Sequence, residues 1–484
     1  KDEIARLKHL PPRPPFNPSG MEKATQPRPA GPGRRPGRGA KRDRVTREVT
    51  IPVEAPPGSR FKGYKTVVHR DLVLVAEVVR YKRERWVTPE GQTLIAPLPI
   101  GITGGFGPNV RRFCLALHTQ GQVTTERLTD LLNGIGLAIS KREVVRLLTS
   151  DLELFEQEDR AILQAGLVSS PYLTVDDTGA RHARRPAVTT QIGGERFCVF
   201  RTSRSKSRLN FLTLLRGGCE DYVANEAALD YLRRQPVEAA VIARLSQLQD
   251  QVFSSQMEWW QHLLRCSINI FDRPLLRLLD EAATWGALRH HGLMANTVVV
   301  SDDAGQFRVA QHALCWIHAE RHLQKLMPAS PKQANAVELV REAIWCFYRG
   351  LKLWKQSPSP GGERAFRRQF DKIFGLRTGY QELDELLARL ARRKGELLRV
   401  LERPEIPLHT NASENDLRAW VIKRKISGGT MSADGRMARD VMLGLSKTCR
   451  KLGLSFFTYL GDRLGLNGDR PRIPPLADLV TQSA

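Results

Sequence analysis

The chain has 484 residues, too many for one simple core, so two to four domains are expected. A formal charge of +24 and a pI near 10.1 point to a polyanionic partner, nucleic acid first, because Lys and Arg gain affinity by displacing counterions condensed on phosphates. No apolar run approaches the roughly 18 residues that a spanning helix needs, which argues against a membrane protein.

Residues 1–48 are rich in Pro, Gly and Arg, with eight basic residues and one acid between Arg28 and Arg47. Such a stretch cannot bury enough surface to offset its ordering entropy, so a basic disordered arm is expected, a tether that also meets phosphates. Residues 49–108 alternate β-branched and polar residues around turns at Pro57-Gly58 and Glu90-Gly91, the pattern of a small antiparallel β module. Within it Arg80, Lys82, Arg83 and Arg85, with Tyr81 and Trp86, read either as a DNA-facing ribbon or as a solvated strand face.

Residues 109–165 turn helical. The stretch TTERLTDLLNGIGLAISKREVVRLLTS has a helix after Thr124, a break at Asn133-Gly134 and a second helix capped by Ser140. That is the spacing of a helix-turn-helix, whose second helix would carry Lys141, Arg142 and Arg146 into a major groove. An ordinary helical hairpin has the same pattern.

From residue 166 to 332 the pattern becomes α/β. YLTVDDTG, AVTTQI and RFCVFRT read as three strands in meander, followed by a helix from Ser207, the start of a ribonuclease-H-like core. Residues 225–295 are mostly helical and read as an insertion. The sheet resumes at 296–302, and HALCWIH (312–318) reads as a further strand entering the helix AERHLQKL. A second helical insertion is expected at 333–406. Residues 407–465 then supply a helix at Glu414, a Gly428-Gly429 break and two more helices, and 466–484 read as a tail.

Three acidic stretches carry the chemistry: PYLTVDDTGARH, NTVVVSDDAGQF and HTNASENDLRAW. A hydrophobic strand is an expensive place to end in paired carboxylates, because a desolvated anion needs a cation nearby. Asp176, Asp302 and Glu414 are therefore the expected ligands of divalent metal, the oxygen donor type that Mg²⁺ prefers, in a phosphoryl-transfer centre acting on DNA. Asp177 and Asp303 are expected to cap the turns that follow. Glu414 has a second reading, in a capping box with Asn411 as the cap. Arg418, Lys423, Arg424 and Lys425 follow on the same helix, and Arg418 and Lys425 fall near the face of Glu414, either against DNA or in helix salt bridges. Glu226, after a short strand at 222–223, is a rival second acid. Asp302 is preferred because its strand is the better buried and the next strand follows within a dozen residues.

Cys315-x2-His318 lacks the second ligand pair that a structural zinc site needs, so Cys315 is expected to be a buried small residue and His318 to sit at the edge of the acidic centre. The seven cysteines are scattered without a CxxC, which argues for reduced thiols in a cytoplasmic protein. Lys1 in place of Met leaves open whether the chain is complete at its amino terminus.

VDDTGARH, SDDAGQF, CWIHAERH, TNASENDLR and KRKISGG together resemble the bacterial transposases of the insertion sequence 66 family, from about Pro11 to Leu464. The resemblance implies a ribonuclease-H-like core with an Asp-Asp-Glu triad of Asp176, Asp302 and Glu414. Such an enzyme cuts and joins double-stranded DNA at element ends and target with Mg²⁺, for which Mn²⁺ can substitute. It implies a nucleoid-associated bacterial protein, a homo-oligomer on DNA, with small companion proteins of the same element among its partners. RYKRERW stands where many relatives carry a CxxC zinc module, so no zinc is expected there. Two other readings share much of this sequence: a structure-specific nuclease of the same fold, and a non-catalytic DNA-binding regulator derived from a transposase. The intact acidic trio argues against the regulator.

Overall fold

A computed structural model describes residues 45, 47–99, 102, 104–247 and 251–482. The expected basic arm lies outside them, apart from residues 45, 47 and 48. From 47 to 84 the backbone forms no strand or helix. Only β1 (Arg85–Val87) and β2 (Thr93–Ile95) pair, antiparallel, around the turn at Glu90-Gly91. The expected β module is thus reduced to one hairpin among the described residues. Its valines and leucines at 67, 68, 72, 73 and 75 are exposed, so alternation there has no core to face.

The helical region follows as α1 (Pro108–Thr119), α2 (Thr125–Gly134), α3 (Lys141–Thr149) and α4 (Glu153–Ser169). Thr124 and Ser140 cap α2 and α3 as the sequence indicates, each hydroxyl accepting from the amide three residues on. Leu128, Leu132, Val144, Leu147 and Leu148 bury the facing sides of this hairpin in the main core.

A five-stranded mixed sheet organises the rest. β3 (Tyr172–His182), β4 (Arg185–Gly193) and β5 (Cys198–Ser203) form an antiparallel meander, and α5 (Arg208–Leu215) follows with Ser207 as its cap. The chain then leaves the sheet for β6 (Tyr222–Ala224), α6 (Glu226–Arg233), α7 (Ala239–Ser246), β7 (Gln251–Phe253), α8 (Gln256–Arg265) and α9 (Arg273–His290), which bury a core of their own. It returns as β8 (Val298–Ser301) and β9 (Gln311–Leu314), both parallel to β3, giving the order β5-β4-β3-β8-β9.

β8 explains its own composition. Val299 packs into the main core with α4 and α5, while Val298 and Val300 pack into a second core on the other face. A strand covered on both faces has no reason to alternate with polar residues. The second core is closed by α10 (Trp316–Gln324), α11 (Pro331–Trp354), α12 (Pro360–Phe374), α13 (Gln381–Ala391), α14 (Lys394–Leu397) and α15 (Arg399–Glu402). The strand read at 312–318 ends earlier than expected. Cys315 caps α10, so His318 lies in the first turns of a helix.

α16 (Asn411–Ser427) crosses the sheet, with Leu417 and Trp420 buried against Cys198 and Phe200. α17 (Ala433–Lys451) lies along β5, where Asp440 accepts from the Thr202 amide at 2.7 Å. α18 (Phe456–Arg463) and α19 (Leu476–Thr481) complete the chain. The segment read as a tail is therefore anchored in part. Leu476 and Val480 are buried in the main core, and the Leu476 amide donates to Glu158 on α4 at 2.9 Å.

Candidate active site

The parallel register of β3 and β8 pairs Leu173 with Val299 and Thr174 with Val300. Asp176 stands two residues beyond Thr174 within β3, and Asp302 stands two beyond Val300, one residue past the end of β8, so the register brings the two positions to the same end of the sheet. Burial raises the Asp176 carboxyl to about 6, and the facing charges of Asp302 and Asp177 push the same way against the Asp177 amide and His318. The Asp177 amide donates to Asp176 Oδ1 at 2.7 Å, and among the described residues no side chain hydrogen-bonds or ion-pairs with Asp176.

Asp302 Oδ1 accepts from the Ala304 amide at 3.0 Å, so Asp302 holds the turn that the sequence assigned to Asp303. Asp303 pairs with Arg308 at 2.7 Å and Arg393 at 3.4 Å instead. Asp177 is likewise no simple turn cap. It meets Lys206 Nζ at 2.7 Å and accepts from Gln306 Nε2 at 2.7 Å, which ties β3 to the segment after Asp302.

Glu414 reaches this centre from α16. The capping box, the second reading of Glu414, does not form: Thr410 occupies the cap position and no side chain caps the helix. Arg321 instead donates from Nη1 and Nη2 to the two Glu414 oxygens at 2.8 and 3.2 Å. His318 Nε2 lies 3.6 Å from Glu414 Oε1. Burial alone would lower His318, but its contact with the Cys315 thiol and the charge of Glu414 hold it up at about 8. Cys315 is buried, as read, and its sulfur accepts from the Thr410 amide at 3.4 Å. His318 thus links the two halves of the site, next to Glu414 and electrostatically felt by Asp176.

The donor set suits a hard divalent cation. Asp176 and Asp302 are partly buried carboxylates that raise each other's cost of ionisation, and the charge of His318 offsets this only in part, so oxygen donors are left for a hard cation. Asp176, Asp302 and Glu414 do not close to within 4.8 Å of one another. Among the described residues the only cluster that does so is Cys219, Asp221 and His291, in the inserted segment.

The other candidates are distributed as follows. Glu226 opens α6 in an exposed ion pair with Arg233. Asn411 begins α16, half-buried, its amide facing His409 Nδ1 at 3.4 Å. Lys141 and Arg142 are exposed at the start of α3, and Arg146 is engaged with Glu143 at 2.8 Å. Arg418 and Lys425 are exposed on α16, whereas Arg424 donates to Thr178 Oγ1 at 3.4 Å. Lys423 is only 2% exposed and faces inward, toward α1. Sequence reasoning missed Arg321. The signal was available, since it stands three residues after His318 in a helix and so shares its face.

A family model described as Transposase IS66 family matches residues 289–438, a stretch that holds Asp302, His318, Arg321 and Glu414 but not Asp176. An uncharacterized protein, y4jO, of Sinorhizobium fredii (strain NBRC 101917 / NGR234) is 62% identical over 323 residues, 67% of this chain and 100% of the relative. No helix among the described residues is long and apolar enough to cross a membrane. With the motif-bearing strand, the His318–Arg321 helix turn and the Glu414 helix all inside the matched stretch, the chain belongs to the IS66 family of transposases.

Proposed function

We propose that the protein is an Asp-Asp-Glu transposase that cleaves double-stranded DNA at element ends and joins them to a target, on a ribonuclease-H-like core. The observation that supports this reading is the register of β3 and β8, with Asp302 and His318 both acting electrostatically on Asp176 and His318 lying 3.6 Å from Glu414. A three-strand antiparallel meander extended by two parallel strands, with a helix-turn-helix-like pair ahead of it, supports the core and its DNA-binding region.

Asp176, Asp302 and Glu414 would hold Mg²⁺, or Mn²⁺ in its place, which when bound activates the attacking oxygen and stabilises the leaving one. The chain's own residues prepare that site. Arg321 fixes the Glu414 rotamer, and the Asp177 amide and the turn at Ala304 orient Asp176 and Asp302. Arg418 and Lys425, exposed beyond Glu414, are placed to meet DNA phosphates as the strand enters. By family resemblance the enzyme works as a homo-oligomer on DNA, with small companion proteins, at the nucleoid in the bacterial cytoplasm.

The test is Asp176→Asn on duplex DNA carrying the inverted repeats that flank the coding region. Mg²⁺-dependent cleavage should disappear while DNA binding persists. In metal-free buffer the variant should melt no lower than wild type, because a carboxylate disfavoured by burial and by the charges of Asp302 and Asp177 has gone, and its Tm should no longer rise with Mg²⁺. Normal cleavage by this variant refutes the assignment.

A further inference from the structure

A cavity of about 480 Å³ lies where the helical hairpin meets the end of α16, and its lining includes Lys141, Lys423, Arg439, Ser427, Thr430 and Glu126. Three of these are cations and one is an acid. Met431, also on its wall, is 63% exposed, so the cavity opens to solvent. Lys423 is the unusual member. Its side chain is buried, its Nζ donates to the His118 main-chain oxygen at 2.6 Å, and among the described residues it has no carboxylate partner. Arg439 stands close enough to repel it, and is itself fixed by a bond from Nη1 to the Gly428 oxygen at 2.8 Å.

Two neighbouring cations taken from water are costly: the charge of Asp440 reaches Arg439, but burial and then Arg439 push the Lys423 amine down to about 7, and the end of α1 offers it only a partial negative charge. His118 does not neutralise them. Burial, and then Lys423, hold its imidazole down at about 4, and its Nδ1 lies against the Val123 oxygen at 2.8 Å. The hydroxyls of Ser427 and Thr430 add neutral donors to the same wall. The arrangement has the charge, the donors and the room for a phosphate group.

We propose that this cavity is an anion site for a phosphate, and that its occupant is a backbone phosphate of the bound DNA. That occupant rests on the transposase reading above; the phosphate chemistry does not. The site is well placed for coupling. Lys423 lies on the helix that carries Glu414, and Thr430 is tied to the end of β3 and the turn after it by bonds to Arg181 and Ala183, with its Oγ1 2.9 Å from His182 Nδ1. A phosphate held here would fix the helical hairpin against both the strand of Asp176 and the helix of Glu414.

The experiment compares the full-length wild type with Lys423→Met and Arg439→Gln. Binding to duplex DNA of arbitrary sequence is measured by anisotropy across a salt series, and Tm is measured with and without inorganic phosphate. Each variant should lower the steepness of log K against log salt by about 0.9, one phosphate contact, and lose the phosphate-induced rise in Tm. Lys423→Met should also melt no lower than wild type in phosphate-free buffer, whereas a lysine serving only as a strut for α1 would cost stability when removed. The anion site is overturned if folded variants keep both the wild-type salt slope and the wild-type response to phosphate. A wild type that binds no DNA, yet loses its phosphate response on Lys423→Met, keeps the anion site for a small phosphate and sinks the DNA reading alone.

Discussion

Arg321 lays its guanidinium across both oxygens of Glu414, at 2.8 and 3.2 Å, and so brings a fixed positive charge to the edge of a centre suited to divalent metal. Two consequences pull in opposite directions. The fork holds Glu414 in one rotamer, and the same charge repels an incoming cation. Removing the charge should therefore relieve repulsion of about 1 kcal/mol, roughly a fivefold gain in metal affinity. Arg321→Met is expected to bind Mn²⁺ more tightly by electron paramagnetic resonance titration while cutting DNA more slowly. Weaker Mn²⁺ binding would mean that Arg321 chiefly orients the ligand.

Glu158 is the ionic anchor of the carboxy-terminal helices. It accepts from Tyr459 Oη at 2.6 Å, from Arg463 at 2.7 and 2.8 Å, and from the Leu476 amide at 2.9 Å. Burial works to raise this carboxyl, yet the bonds from Arg463, Tyr459 and Leu476 prevail and hold it below its ordinary 4.5. A depressed carboxyl stabilises the fold above its unfolded value and loses that contribution as pH falls through the folded one. Glu158→Gln should cost about 3 kcal/mol at neutral pH, since it leaves Arg463 without its main partner. The gap between variant and wild type should narrow as pH falls below the ordinary 4.5 and close only once the folded carboxyl is protonated, as read by chemical denaturation. A gap independent of pH would remove the charge from the explanation.

Much of this fold is legible in the sequence, for reasons visible at particular residues. Thr124, Ser140 and Ser207 each accept from the amide three residues on, a local interaction that needs no tertiary context. The valine run before Asp302 announces a strand buried on both faces, and the register with β3 then puts the acids together. What failed depends on distant partners. Alternating residues between 47 and 84 found nothing to pack against, and Leu476, in an apparent tail, found Glu158 more than three hundred residues away. Lys423 reads as a surface cation in a basic run, yet it is buried, with its Nζ on the His118 oxygen at the end of α1.

Gly286 offers a test of the inserted segment. A methyl group there would meet the Val223 carbonyl oxygen at 2.1 Å, where α9 packs against β6. Alanine gains about 1 kcal/mol of helix propensity over glycine. Overpacking against a backbone atom that cannot move aside costs about 1–3 kcal/mol, so the clash should prevail. Gly286→Ala is expected to lower the urea midpoint, with a displaced β6. A raised midpoint would show that α9 and β6 are not in close contact.

The second acid decides between two placements that the sequence left in competition. Asp302 directly follows a strand parallel to β3 and acts electrostatically on Asp176, while Glu226 opens α6 in an exposed pair with Arg233. Replacing Glu226 removes a solvated ion pair, whose contribution in high dielectric is small. Replacing Asp302 removes a proposed metal ligand together with the acceptor that holds the turn at Ala304. Glu226→Ala should leave DNA cleavage and Tm unchanged. Asp302→Asn keeps an oxygen for the Ala304 amide, so it should stay folded, lose cleavage and lose the Mg²⁺-dependent rise in Tm. The informative measurement is the metal response of Tm in both variants, because it reads ligand loss without requiring turnover. If Glu226→Ala loses that response and Asp302→Asn retains it, the second metal ligand lies in the inserted segment, and the strand before Asp302 is scaffold alone.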